Sequence, residues 1–137
     1  MPLFQKKNKR VVNIQPLDKQ IKWPDGVAVK TESGIWFIKS GKKFKCFSDR
    51  TAKSWSFYTI PATDKSISHI KKAGILGFRD GTLIKDIGHG KIYLVSASKL
   101  RHITDPDIID IFGGNVIDVS GDEIKIHEFG EELNVFL

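Results

Sequence analysis

The chain has 137 residues, 40% of them hydrophobic and 28% charged, with a net charge of +6. That length suits one compact globular domain, and two units of half the size would each be marginal alone because small units bury too little surface. No apolar run approaches the roughly 18 residues needed to span a bilayer, the first residues lack the apolar core of a signal peptide, and a lone Cys46 excludes an internal disulfide framework; these features predict a chain made in the cytoplasm, with no membrane partner.

Residues 1–22 open with Lys6-Lys7-Asn8-Lys9-Arg10 and run through Val11-Val12-Asn13-Ile14 to Pro16. This reads as a basic, extended N-terminal arm able to hold a neighbouring subunit or touch phosphates, or simply as a solubilising end.

A first repeat, residues 23–76, begins at Trp23-Pro24-Asp25-Gly26. Asp-Gly marks a tight turn, because glycine takes positive φ without penalty and Asp bonds nearby backbone. Val27 to Lys30 reads as a strand, Ile35-Trp36-Phe37-Ile38 as a central strand apolar on both faces, and Lys43 to Phe47 as its return across Ser40-Gly41. Ser48 or Asp49 can cap a helical turn over Arg50 to Trp55. Phe57 to Ile60 reads as a short strand stopped by Pro61, and Ser66 to Ile70 fits either a strand or one helical turn.

The second repeat, residues 77–137, keeps this order. Phe78-Arg79-Asp80-Gly81 matches Trp23-Pro24-Asp25-Gly26 at an offset of 55. Ile92-Tyr93-Leu94-Val95 and Lys99-Leu100-Arg101-His102-Ile103 follow as strands. Thr104 and the acids Asp105 and Asp107 predict the start of a helix running to Phe112, with Pro106 in its first turn and Gly113-Gly114 at its end. Val116 to Val119 and Glu123 to His127 predict a closing hairpin, and the apolar Asn134-Val135-Phe136-Leu137 is expected to tuck into the core or a neighbour. The predicted fold class is therefore mainly β, β-rich α+β: two tandem repeats of antiparallel meander plus short helix, sharing one core.

Charge separates the two copies. Residues 1–75 carry sixteen Lys or Arg against five Asp or Glu, whereas residues 76–137 carry six against eleven. Such a split suits a basic half facing an acidic partner: nucleic acid, an anionic surface, or the acidic half of another copy. The richest candidate surface is the first hairpin, where Lys39, Lys42, Lys43 and Lys45 are interleaved with Trp36, Phe37, Phe44 and Phe47. Lysines with aromatics on a sheet can bind single-stranded nucleic acid by phosphate contact and base stacking, and the aromatics can stack on sugars. The plainer reading places the aromatics in the core and the lysines on a rim that discourages edge pairing.

Nothing in the chain points to catalysis. His69, His89, His102 and His127 are scattered without the spacing of a zinc site. Gly88-His89-Gly90 joins two strands and opens no helix, so it lacks the aligned amides of a phosphate loop. No Gly-x-Ser-x-Gly elbow and no Cys/His pair suggest a nucleophile, and Cys46 sits in a strand pattern that fits a small buried hydrophobe. The sequence predicts no enzyme, no metal and no cofactor.

The Asp80-Gly81 turn, the Gly loop, Ile92-Tyr93-Leu94-Val95 and Lys99-Leu100-Arg101-His102-Ile103 together resemble a β-rich repeat of bacterial cell-surface proteins and of small virion proteins of tailed phages. In that repeat a short helix and a Val-x-Val-Ser segment follow, here Val116 to Ser120. The resemblance covers residues 78–130, and 23–74 more loosely, departing after Asp49 where the helix signal is poor. It implies a structural or accessory subunit of a virion (capsid, neck or tail) that contacts other virion or assembly proteins, and it carries no site residues with it. The partner-binding candidates are Lys6, Lys7, Lys9 and Arg10 on the arm, Lys39, Lys42, Lys43 and Lys45 on the hairpin, and Phe136 and Leu137 at the tail. The alternatives are a glycan-binding surface module using Trp23, Trp36 or Trp55, and a nucleic-acid-binding protein using the basic half; the expected location is the virion, with the cytoplasm as the alternative.

Overall fold

The computed structural model describes residues 18–133. The chain is mainly β and forms two five-stranded sheets of the same topology. In the first unit, β1 (Val27–Thr31), β2 (Gly34–Lys39) and β3 (Lys42–Cys46) form an antiparallel meander. Helix α1 (Asp49–Ser54), β4 (Thr59–Pro61), a 3-10 turn (Asp64–Ile67) and β5 (Lys71–Leu76) follow. The second unit repeats this series: meander β6 (Leu83–Asp86), β7 (Ile92–Ser96) and β8 (Lys99–Ile103), then α2 (Pro106–Ile111), β9 (Val116–Val119), α3 (Gly121–Lys125) and β10 (Glu128–Phe129).

The last two strands of each unit flank the meander rather than pair with each other. β4 and β9 lie parallel to the first strand of their meanders, and β5 and β10 lie parallel to the third. Parallel neighbours need a crossover, which α1 or α2 supplies in one direction and the 3-10 turn or α3 in the other. The expected closing hairpin is thus replaced. Its second strand is helix α3, because Ser120 and Glu123 form a reciprocal capping box over those residues. The poor helix signal after Asp49 is corrected the same way: Ser48 and Thr51 form a capping box that starts α1.

Asp-Gly has the same task in both units. Gly26 and Gly81, at φ +81° and +91°, donate to the carbonyls of Ile38 and Val95 at 2.8 and 2.7 Å. The preceding carboxylates Asp25 and Asp80 accept from the turn amides of Ser40 and Ser98. Each Asp-Gly therefore closes over the β2–β3 or β7–β8 hairpin. Val29 pairs with Trp36 and Ile84 with Tyr93, so the offset grows from 55 to 57 across the Gly88-His89-Gly90 loop. It stays at 57 through the helix caps Ser48 and Asp105, and Thr63 and Ser120.

Successive strand residues point to opposite faces, and each face of the second sheet is covered by a different helix. Leu83, Leu94 and Ile103 pack with Ile108 of α2, whereas Ile84, Tyr93, Val95 and Leu100 pack with Ile124 of α3 and with Phe78. In the first unit Val29, Trp36 and Ile38 pack with Ile67 and with Trp23, the counterpart of Phe78. The buried apolar clusters are each drawn from a single unit, and the units meet through side chains of α1, α3 and the segment around Gly77. No helix among the described residues is long and apolar enough to cross a membrane.

Candidate functional site

Two places combine charge, burial and position: the junction between the units and the basic sheet of the first. At the junction, Glu123 of α3 is buried, its side chain 3% exposed. Its carboxylate accepts from the Ser120 amide at 3.0 Å, from Ser48 Oγ at 2.6 Å and from Arg50, whose terminal nitrogen lies 2.9 Å away. Burial pushes this carboxyl up, and the Ser120 amide, the Ser48 hydroxyl and the Arg50 guanidinium more than offset it, holding the group below its ordinary range. Beside it, Trp55 Nε1 donates to the Gly77 carbonyl at 2.8 Å and the Arg79 amide donates to Ser54 Oγ at 3.1 Å. The junction is polar and joins α1 to the start of the second unit.

His127 closes the other side. Its Nε2 accepts from the Phe78 amide at 3.1 Å, so Nδ1 carries the hydrogen and donates to the Ser98 carbonyl at 2.7 Å. The ring leaves no room at Gly77, where an added Cβ would fall 2.5 Å from Nε2.

On the basic sheet, Lys39 stands across from Lys42, Lys42 from Lys71, and Lys43 from Lys72. Like charges directly opposite each other are destabilising, so this ridge concentrates positive potential at some cost to the sheet. Lys43, Lys45 and Lys72 hold their ammonium groups 4.9, 5.9 and 5.7 Å from the Trp36 ring centre, a cation–π arrangement. The structure thus divides the four hairpin lysines between the two faces of the sheet, Lys39 and Lys42 with Lys71 on one and Lys43 and Lys45 with Lys72 on the Trp36 side; the signal for Lys71 and Lys72 was the Lys-Lys pair ahead of an apolar run. The other sequence candidates, Lys6, Lys7, Lys9, Arg10, Phe136 and Leu137, lie outside the described residues.

The aromatics divide. Trp23 and Trp36 are each 8% exposed, Trp23 donating its Nε1 hydrogen to the Ser66 carbonyl. Trp55, Phe57 and Phe37 stack in a ladder with ring centres 5.8 and 4.9 Å apart. An open cleft of about 630 Å³ beside α1 is lined by Lys30, Arg50, Lys53 and Phe57. Cys46 is buried, and burial pushes its thiol up to about 11, which denies it the thiolate a nucleophile needs.

Comparison with protein-family models, with curated proteins and with solved structures finds no match. Chemistry must therefore be read from the residues alone. Among the described residues no group of three or more His, Cys, Asp or Glu side chains is placed to hold a metal ion, and the buried carboxylate Glu123 is occupied by Ser120, Ser48 and Arg50. Through these contacts Glu123 ties α3 of the second unit to α1 of the first.

Proposed function

We propose that the chain is a structural or accessory subunit of a larger assembly, working through protein–protein contacts; the assembly named by the sequence resemblance is the virion of a tailed phage. The observation that carries this reading is the α2 surface. On the first unit the matching surface of α1 is covered by the second unit, through Glu123, Gly77 and Arg79. On the second unit, Ile111 and Phe112 stand 69% and 44% exposed at the corresponding place. Large apolar side chains grouped on a surface mark interaction sites. Quantitative mass spectrometry of gradient-purified particles tests the reading: the chain is expected at a fixed copy number relative to the major capsid protein. Its absence from intact particles would sink the virion assignment.

The lysine ridge of β2, β3 and β5 supports a second reading, binding of a nucleic-acid backbone. Fluorescence anisotropy with labelled single-stranded DNA or RNA should then show affinity falling steeply with salt. No observation favours sugar binding, since two of the three tryptophans are buried and one face of Trp55 is stacked against Phe57.

A further inference from the structure

The internal duplication assigns a partner to the exposed α2 surface. Helix caps Ser48 and Asp105 correspond, so Arg50, Ser54 and Trp55 of the first unit map onto Asp107, Ile111 and Phe112 of the second. The receiving surface maps in the opposite direction. Phe78 occupies in the second core the place of Trp23 in the first, so Gly77 and Arg79 map onto Lys22 and Pro24. The caps Thr63 and Ser120 likewise map Asp122, beside Glu123, onto Lys65. Lys22, Pro24 and Lys65 are all exposed.

The contacts of the internal junction do not all map charge for charge. Arg50, which meets Glu123 within the chain, corresponds to Asp107, but Glu123 corresponds to the buried Ser66; the exposed cations on the receiving surface are Lys65, next to Ser66, and Lys22, and they are opposite in sign to Asp105 and Asp107. Within the chain the Ser54 hydroxyl meets the Arg79 amide. At the ends Ile111 corresponds to Ser54 and Pro24 to Arg79, and proline has no amide hydrogen to leave unpaired. Phe112 lacks the indole N–H with which Trp55 reaches the Gly77 carbonyl, so it asks only for apolar cover.

We propose that copies of this chain associate head to tail, the α2 end of one copy docking on the first unit of the next, with Ile111 and Phe112 against Pro24 and with Asp105 and Asp107 against Lys22 and Lys65. This inference rests on the assembly reading and names a partner for it: a second copy, held in the relation the first unit bears to the second. Such an interface is heterologous, so it builds a ring if the rotation closes and a filament if it does not.

Sedimentation velocity on the full chain, at low salt and over about 10 µM to 1 mM, spans the range of weak interfaces. The weight-average mass is expected to rise with concentration above the 15.4 kDa of one copy. Ile111→Glu, at a site exposed enough to leave folding intact by circular dichroism, should weaken association by about tenfold or more. The doubly substituted Lys22→Glu/Lys65→Glu chain should behave alike. Mixing these two variants should give a one-to-one pair and nothing larger, because each retains the surface the other has lost. A mass fixed at 15.4 kDa throughout, or association unaffected by Ile111→Glu, overturns the proposal. Particles that incorporate a chain monomeric in solution would remove this inference and leave the assembly reading standing; self-association of a chain missing from particles would do the reverse.

Discussion

Arg50, in the first helix of the first unit, holds Glu123, in the last helix of the second, at 2.9 Å across 73 residues of chain. The two differ sharply in exposure, at 52% for the arginine side chain and 3% for the glutamate. Removing Glu123 takes away its half of the α3 capping box, with Ser120 still in place as the cap, and leaves Ser48 and Arg50 without their acceptor. Glu123→Ala is expected to cost about 3 kcal/mol in urea unfolding. Arg50→Ala should cost about 1 kcal/mol, since a half-exposed cation gains less from pairing. Because the folded carboxyl lies below its ordinary 4.5, its contribution is complete above that pH and is lost as pH falls through the folded value. The acid limb of a stability–pH curve should therefore flatten in Glu123→Gln.

Gly77 and His127 form a second coupled pair. Gly77→Ala would drive a methyl group into an imidazole fixed by two hydrogen bonds, and should destabilise by about 2 kcal/mol. In a His127→Ala background the same substitution should cost less than about half as much, because the ring is gone. Equal costs in both backgrounds, measured by a double-mutant cycle, would show that the ring does not set the glycine requirement.

The two hairpin turns are unequally built. Ser40 and Gly41 take φ of 53° and 72°, whereas Ala97 and Ser98 take 50° and 64° with no glycine between them. Ser98→Gly removes a left-handed strain and keeps the amide that Asp80 holds. It should raise stability by about 1 kcal/mol, visible as a higher melting temperature; Gly41→Ser should lower it.

Cys46 reports on the opening of the first sheet. With the thiol buried and raised to about 11, it should ignore Ellman's reagent at pH 8 in the native protein and react at once in denaturant. Intermediate denaturant should show whether β3 opens before the second unit unfolds. Rapid native labelling would contradict its burial.

Much of the architecture is legible in the residues. Asp25-Gly26 and Asp80-Gly81 announce the duplication, and β-branched and aromatic runs announce both meanders. Glu123 to His127 misleads because apolar Ile124 and Ile126 alternate with polar neighbours at strand period, yet a Ser120-x-x-Glu123 capping box was there to be read. The parallel edges are harder, since no turn signal marks a pairing made across a whole crossover. The junction is hardest of all: Ser48, Arg50 and Glu123 are ordinary helix-start residues until folding brings them together.

The matched edges also set a kinetic hazard. β5 and β10 each complete a sheet by lying parallel to a third strand, so a refolding chain offers two similar docking sites to two similar latecomers. Local differences discriminate between them: β5 carries Lys72 to the Trp36 ring and meets a register shift at Lys43/Phe44, whereas β10 places Phe129 against Tyr93. Synthesis from the N-terminus favours the right solution, because the first meander can capture Lys71–Leu76 before its rival strand exists. Refolding from denaturant forfeits that head start, and a crossed pairing between the units is the trap it invites.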